Sequence, residues 1–207
     1  LTRAGQGRAA AAAVTLLAWA APAGAAGFAD YVKTPDHRAV REAVALRQLR
    51  TICPDRPVLA EVEARVRIVQ PVAMLSGARF PEAGVWEERL VGAGCGDGRQ
   101  LNLIFAAKAG GNPPTGTAMF PGTTHANWFL QQQAMRPAAV AASKKAPEPG
   151  CRRYAVADTT GGAAPPENPV PGDRWTERWR LRACDDFVDI TITFSVPQAG
   201  GIAIEAQ

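Results

Sequence analysis

Two glutamates stand at matched places in this chain: Glu88 follows Trp86 by two residues, and Glu177 follows Trp175 by two residues. Two positions apart on a strand, a Trp and a Glu project from the same face. A carboxyl beside an indole on an apolar face is suited to act as a general acid with a raised pKa. The competing expectation is structural, with Glu88 and Glu177 paired to a nearby Arg or lying on the sheet margin. The only histidines are His37 and His125, both near predicted helix N-termini. A two-His metal site needs a further ligand, and Asp36 is the only obvious neighbour. Solvated first-turn histidines are the plainer expectation, and neither a metal nor another cofactor is predicted. Ser76, Ser143 and Ser195 are the only serines, none in a G-x-S-x-G context. With the cysteines expected to be oxidised, no thiolate nucleophile is expected.

The basic residues point to different chemistry. Arg178, Arg180 and Arg182 alternate along a predicted strand, so all three face away from Trp175, Trp179 and Leu181. Arg174, Arg152 and Arg153 are expected close by. Guanidinium forks match phosphate and carboxylate groups. The first half carries Val91 and Ala93 where the second has Arg180 and Arg182, so this stripe is not part of a shared scaffold. The alternative is a solvated face balanced by Asp185, Asp186 and Asp189. The formal charge of +4 falls to +2 without Arg3 and Arg8, too small a surplus to argue for nucleic acid. The Pro-rich loop from Thr159 to Asp173 is either a docking arm or a tolerated insertion.

The elements that must position these residues occur twice. Trp86, Glu88, Arg89, Cys95 and Phe105 recur as Trp175, Glu177, Arg178, Cys184 and Phe194, each 89 positions on. Thr34 can cap a helix beginning at Pro35, with Val40, Ala43, Val44 and Leu46 as its apolar positions. Alternation from Glu61 predicts a strand, bent or interrupted at Pro71. Strands follow at Trp86 to Gly92 and Leu101 to Ala107, with Cys95 to Gly98 as the turn. In the second half, Thr123 or Thr124 caps a helix through Met135 that Pro137 limits or kinks. Strands follow at Arg152 to Asp158, Trp175 to Ala183 and Val188 to Phe194. Each half thus reads helix, Cys, strand, loop, Trp strand, Cys, strand.

These halves predict an α+β fold: a duplicated unit of one helix plus three antiparallel strands, the two copies packed as one pseudo-symmetric domain. Residues 31–107 form the first copy, 123–207 the second, and the Gly- and Pro-rich stretch 108–122 a linker. Trp86, Trp175, Trp179, Phe105 and Phe194 are its structural residues. The favoured disulfides are Cys53 to Cys95 and Cys151 to Cys184, with a bridge between the halves, such as Cys95 to Cys184, as the alternative.

Arg3 and Arg8 precede an apolar run from Ala9 to Ala20, followed by Ala23-Gly-Ala25. This pattern predicts a signal peptide over residues 1–25, and hence a periplasmic or secreted protein. No later segment is apolar enough to span a membrane. Paired cysteines suit an oxidising compartment.

The strand Trp175-Thr-Glu-Arg-Trp179, running to Cys184, and its earlier copy resemble a signature of small exported proteobacterial proteins of unassigned function. The resemblance covers about 20 residues per copy and implies no activity. The expectation is a non-catalytic binding or structural module of the cell envelope, recognising an anionic component or a protein partner through Arg178, Arg180 and Arg182. The alternative is an envelope hydrolase using Glu88 or Glu177.

Overall fold

The computed structural model describes residues 24–53, 59, 63–91, 99–147 and 150–207. The predicted signal peptide and the Cys95–Gly98 turn lie outside them, except that the expected cleavage point after Ala25 falls inside the first helix. That helix, α1 (Gly24–Tyr31), is followed by α2 (Pro35–Ile52), β1 (Glu63–Ala73), β2 (Ala83–Val91), β3 (Leu101–Lys108) and β4 (Asn112–Ala118). The second half contributes α3 (Trp128–Lys145), β5 (Tyr154–Gly161), β6 (Arg174–Ala183), β7 (Asp186–Ser195) and β8 (Ala203–Ala206).

The fold is α+β, built as two four-stranded antiparallel meanders, β1-β2-β3-β4 and β5-β6-β7-β8. Each unit therefore has four strands, where three were expected. The fourth strand of the first unit, β4, lies inside the expected linker 108–122. It tolerates Pro113 and Pro114 because both fall where the β3–β4 register shifts, between the Ala106–Thr115 and Lys108–Asn112 pairs, so neither has to supply a ladder N–H. Gly116 is required there, since a Cβ would stand 2.6 Å from Phe105 and 2.6 Å from Val44. β8 was likewise unforeseen.

Helix α2 lies over β3 and β4, and α3 over β7 and β8. Thr34 caps α2 as expected, its hydroxyl accepting from the His37 N–H at 3.2 Å. The buried stripe of α2 is His37, Val44, Ala45, Leu49 and Ile52, rotated from the expected one: Ala43 is exposed and Val40 and Leu46 are half-buried. Asn127, not Thr123 or Thr124, caps α3. The helix runs through Pro137; the carbonyl left without a donor belongs to Gln133, an exposed residue that water can reach.

One aromatic pair anchors each core. Trp86 pairs across the ladder with Phe105, ring centroids 5.5 Å apart, and Trp175 pairs with Phe194 at 5.0 Å. These are the residues related by the 89-position shift. Cys151 and Cys184 are disulfide-bonded, joining the approach to β5 to the β6–β7 turn. Cys53 is also disulfide-bonded, and Cys95 lies outside the described residues.

The two sheets are joined by the segment between β4 and α3. On one side it extends the β3 ladder through Met119 N–H to Asn102 O and Gly122 N–H to Gln100 O. On the other side Thr123 N–H donates to Thr159 O on β5, and the Thr159 hydroxyl donates to Pro121 O. Among the described residues no helix is long and apolar enough to cross a membrane.

Candidate functional site

Glu88 and Glu177 occupy equivalent positions on the second strand of each sheet, and both are buried, with relative exposures of 0% and 2%. Burial of an acid requires hydrogen-bonding partners. In the first unit the Glu88 carboxylate accepts from Trp86 Nε1 at 2.9 Å and from His37 Nε2. In a neutral imidazole that leaves Nδ1 to accept the Tyr31 hydroxyl at 3.2 Å. Arg41 approaches the other carboxylate oxygen at 3.5 Å. His37 is fully buried, which corrects the expectation of a solvated first-turn residue. Burial was not readable because nothing in the helical spacing marks a His as core.

Glu177 is held by different atoms. It accepts from the backbone N–H groups of His125 at 2.8 Å and Ala126 at 3.1 Å, from the Thr124 hydroxyl at 2.6 Å, and from Trp179 Nε1 at 2.8 Å. The indole partner is thus Trp179, two residues after the glutamate, and not Trp175 as the repeat predicted. Trp175 Nε1 is buried without a hydrogen-bond partner. His125 is exposed, with its ring against Gly162 O at 3.1 Å. Each histidine therefore serves the glutamate of its own unit, one by its ring and one by its backbone.

The shared task of the two glutamates is to fasten the start of a helix to the middle of a sheet. A carboxylate near a helix N-terminus also lies at the favourable end of the helix dipole. A cavity of about 240 Å³ lies between the first sheet and the α3 entry, with Arg67, Glu87, Arg89, Asn102, Asn127 and Gln131 among its walls. Glu88 borders it, but strand alternation turns its carboxylate to the opposite face, with Trp86 and His37. Neither glutamate offers an open carboxylate for acid–base chemistry.

Tyr31 adds a testable consequence. Burial, then the charges of Glu88 and Asp36, push its phenol well above the usual tyrosine value. The unfolded chain loses this proton near pH 10 while the folded chain keeps it. Its contribution to stability is therefore complete below about pH 10 and declines as pH rises beyond that value. Tyr31→Phe is expected to cost about 1 kcal/mol at neutral pH and to flatten the alkaline loss, as read from urea unfolding at about pH 8 and about pH 11.

The arginines are arranged as the strand alternation predicted. Arg178 and Arg180 are exposed and Arg182 half-buried on the outer face of β6, while Trp175, Glu177, Trp179 and Leu181 are buried on the other. Arg180 stacks over Phe187 at 4.9 Å and reaches Asp189 at 4.0 Å. Arg182 donates to Cys184 O and stands 3.6 Å from Asp185. Arg182 also opens onto a second cavity, of about 500 Å³, together with Arg50, Arg152 and Arg153. Arg50 comes from the end of α2, so both units contribute. Its participation was not visible in the sequence, because only the docking of α2 beside β5 brings it there. Asp185 is the one acidic residue on the wall. Among the described residues no three His, Cys, Asp or Glu side chains gather as a metal site. Compared with protein-family models, curated proteins and solved structures, this chain matches none.

Proposed function

We propose that this chain is an exported, disulfide-stabilised, non-catalytic binding module that recognises an anionic group of the cell envelope or of a partner protein. The observation that carries this reading is the convergence of Arg50, Arg152, Arg153 and Arg182 on one cavity with a single acidic neighbour. Guanidinium groups from separate elements can bind phosphate or carboxylate oxygens in bidentate fashion. Arg50, Arg152 and Arg153 have no ion pair among the described residues, so their charge is available. Arg178 and Arg180 extend the same positive surface along the open face of β6. The disulfide Cys151–Cys184 supports an oxidising compartment.

The test compares binding to phosphatidylglycerol vesicles and to immobilised polyglutamate at low and high salt. Wild type is measured beside Arg50→Glu/Arg153→Glu and beside Arg178→Glu/Arg180→Glu/Arg182→Glu. Expected is salt-sensitive binding to one of the two probes, weakened at least about tenfold by both variants. Equal binding by all three proteins, or binding to neither probe, overturns the proposal.

A further inference from the structure

Strand β1, with 11 residues, is the longest strand among the described residues and stands at the edge of its sheet. No element among the described residues pairs with its far side. An edge of this length exposes a row of backbone donors and acceptors. Its apolar residues are also uncovered: Val66 is 38% exposed and Ile68 50% exposed. Both line a groove of about 510 Å³ between β1 and the α1–α2 corner, with Phe28 and Val32 opposite and the cations Lys33, Arg38 and Arg41 alongside. Lys33 and Arg38 have no ion pair among the described residues.

The molecule itself shows what covers the equivalent edge. In the second unit the first strand, β5, is bonded by the extended segment that precedes α3, through Thr123 and Thr159. That segment also places Phe120 edge-on against Trp179 at 5.1 Å. In the first unit the segment preceding α2 is the helix α1. It makes an aromatic contact of its own, Phe28 edge-on to Trp86 at 5.1 Å, but its backbone groups are committed to its own turns. Among the described residues the outer ladder of β1 is therefore left open.

We infer that β1 accepts an extended, acidic peptide segment of a partner protein as a fifth strand. Backbone hydrogen bonds to β1 supply the affinity. Apolar side chains at every second position cover Val66 and Ile68, and Asp or Glu side chains meet Lys33 and Arg38. This site is separate from the arginine cavity, on the other unit's edge strand.

The test is selection of a random displayed peptide library, of about ten residues to match β1, on the full chain. A synthetic representative of the selected set is then measured by fluorescence anisotropy. Expected are sequences alternating apolar and acidic residues, with affinity lowered at least about tenfold by Lys33→Glu/Arg38→Glu and unchanged by Arg152→Glu. Methylating alternate amides of the peptide should abolish binding while keeping its charge, and those amides of residues 64–69 that face away from β2 should gain exchange protection on binding. No selected set, a set without acidic residues, or undiminished binding of the methylated peptide overturns the inference. So does a concentration-dependent dimer lost in Val66→Asp, which assigns the edge to a second copy. Displacement of the peptide by oleate with no exchange protection overturns it in favour of a lipid.

Discussion

Replacing Glu177 with alanine is expected to destabilise the protein by about 3–5 kcal/mol, measured by urea unfolding at neutral pH. The substitution removes an acceptor shared by two backbone N–H groups, one hydroxyl and one indole N–H, and of these only the Ala126 N–H keeps another acceptor among the described residues, the Thr124 hydroxyl at 3.0 Å. Each buried donor left unmade costs about 1–3 kcal/mol. The sum falls short of four such costs because Thr124 is only half-buried and can turn to solvent. Glu177→Gln separates the contributions. Its carbonyl oxygen can keep the two backbone donors, but the new amide N–H₂ then faces Trp179 Nε1, which can only donate. That variant should lose about 1–3 kcal/mol. Glu88→Gln should be milder still. There a single carboxylate oxygen accepts both Trp86 and His37, and the other has only Arg41 at 3.5 Å. The expected order of loss is Glu177→Ala, Glu177→Gln, Glu88→Gln; a Glu88→Gln loss equal to that of Glu177→Ala would refute this account of the two carboxylates.

The second large effect is expected at the joint between the sheets. Gly122 has φ +94°, and a Cβ there would stand 2.1 Å from Thr159 O and 2.6 Å from Thr159 N. Both are backbone atoms of β5, so neither can swing aside. Gly122→Ala therefore adds conformational strain of about 1–3 kcal/mol to an overlap of about 1–3 kcal/mol. The relief available is to part the joining segment from β5. That also withdraws Gly122 O from the amides of Gln100 and Asn102. Calorimetry should show a total loss of about 2–6 kcal/mol and one transition broadening into two as the units uncouple. A single sharp transition at the wild-type temperature would show that the joint does not hold the units together.

The parts of this fold that were legible are those in which a side chain reports its own burial. Trp and Cys repeated at one shift pointed to two sheets of like build, and the alternation of Arg178, Arg180 and Arg182 with Trp179 and Leu181 gave β6 its faces. Strand β4 was hidden because Pro113, Pro114 and Gly116 read as a break. Their presence makes sense only once the strand is placed at an edge, under Val44 of α2. The choice of indole by Glu177 was hidden for another reason. Trp175 and Trp179 both share its face, and the sequence carries no information about which rotamer closes the bond. The arginine cavity was half visible: Arg182, Arg152 and Arg153 are near in sequence to the second Trp strand or to its neighbour, whereas Arg50 arrives from the other unit through tertiary docking.

The strict chain order of both meanders, β1-β2-β3-β4 and β5-β6-β7-β8, bears on how the molecule forms. Every ladder joins consecutive strands, so no strand waits for a distant partner, and loop-closure entropy stays small. The first unit has its strands in sequence before the second begins and can assemble from its own contacts. The second cannot finish so independently, since the bonds that cover β5 come from the segment trailing the first unit. Assembly is therefore polarised along the chain, with the earlier unit serving as the template on which the later one closes.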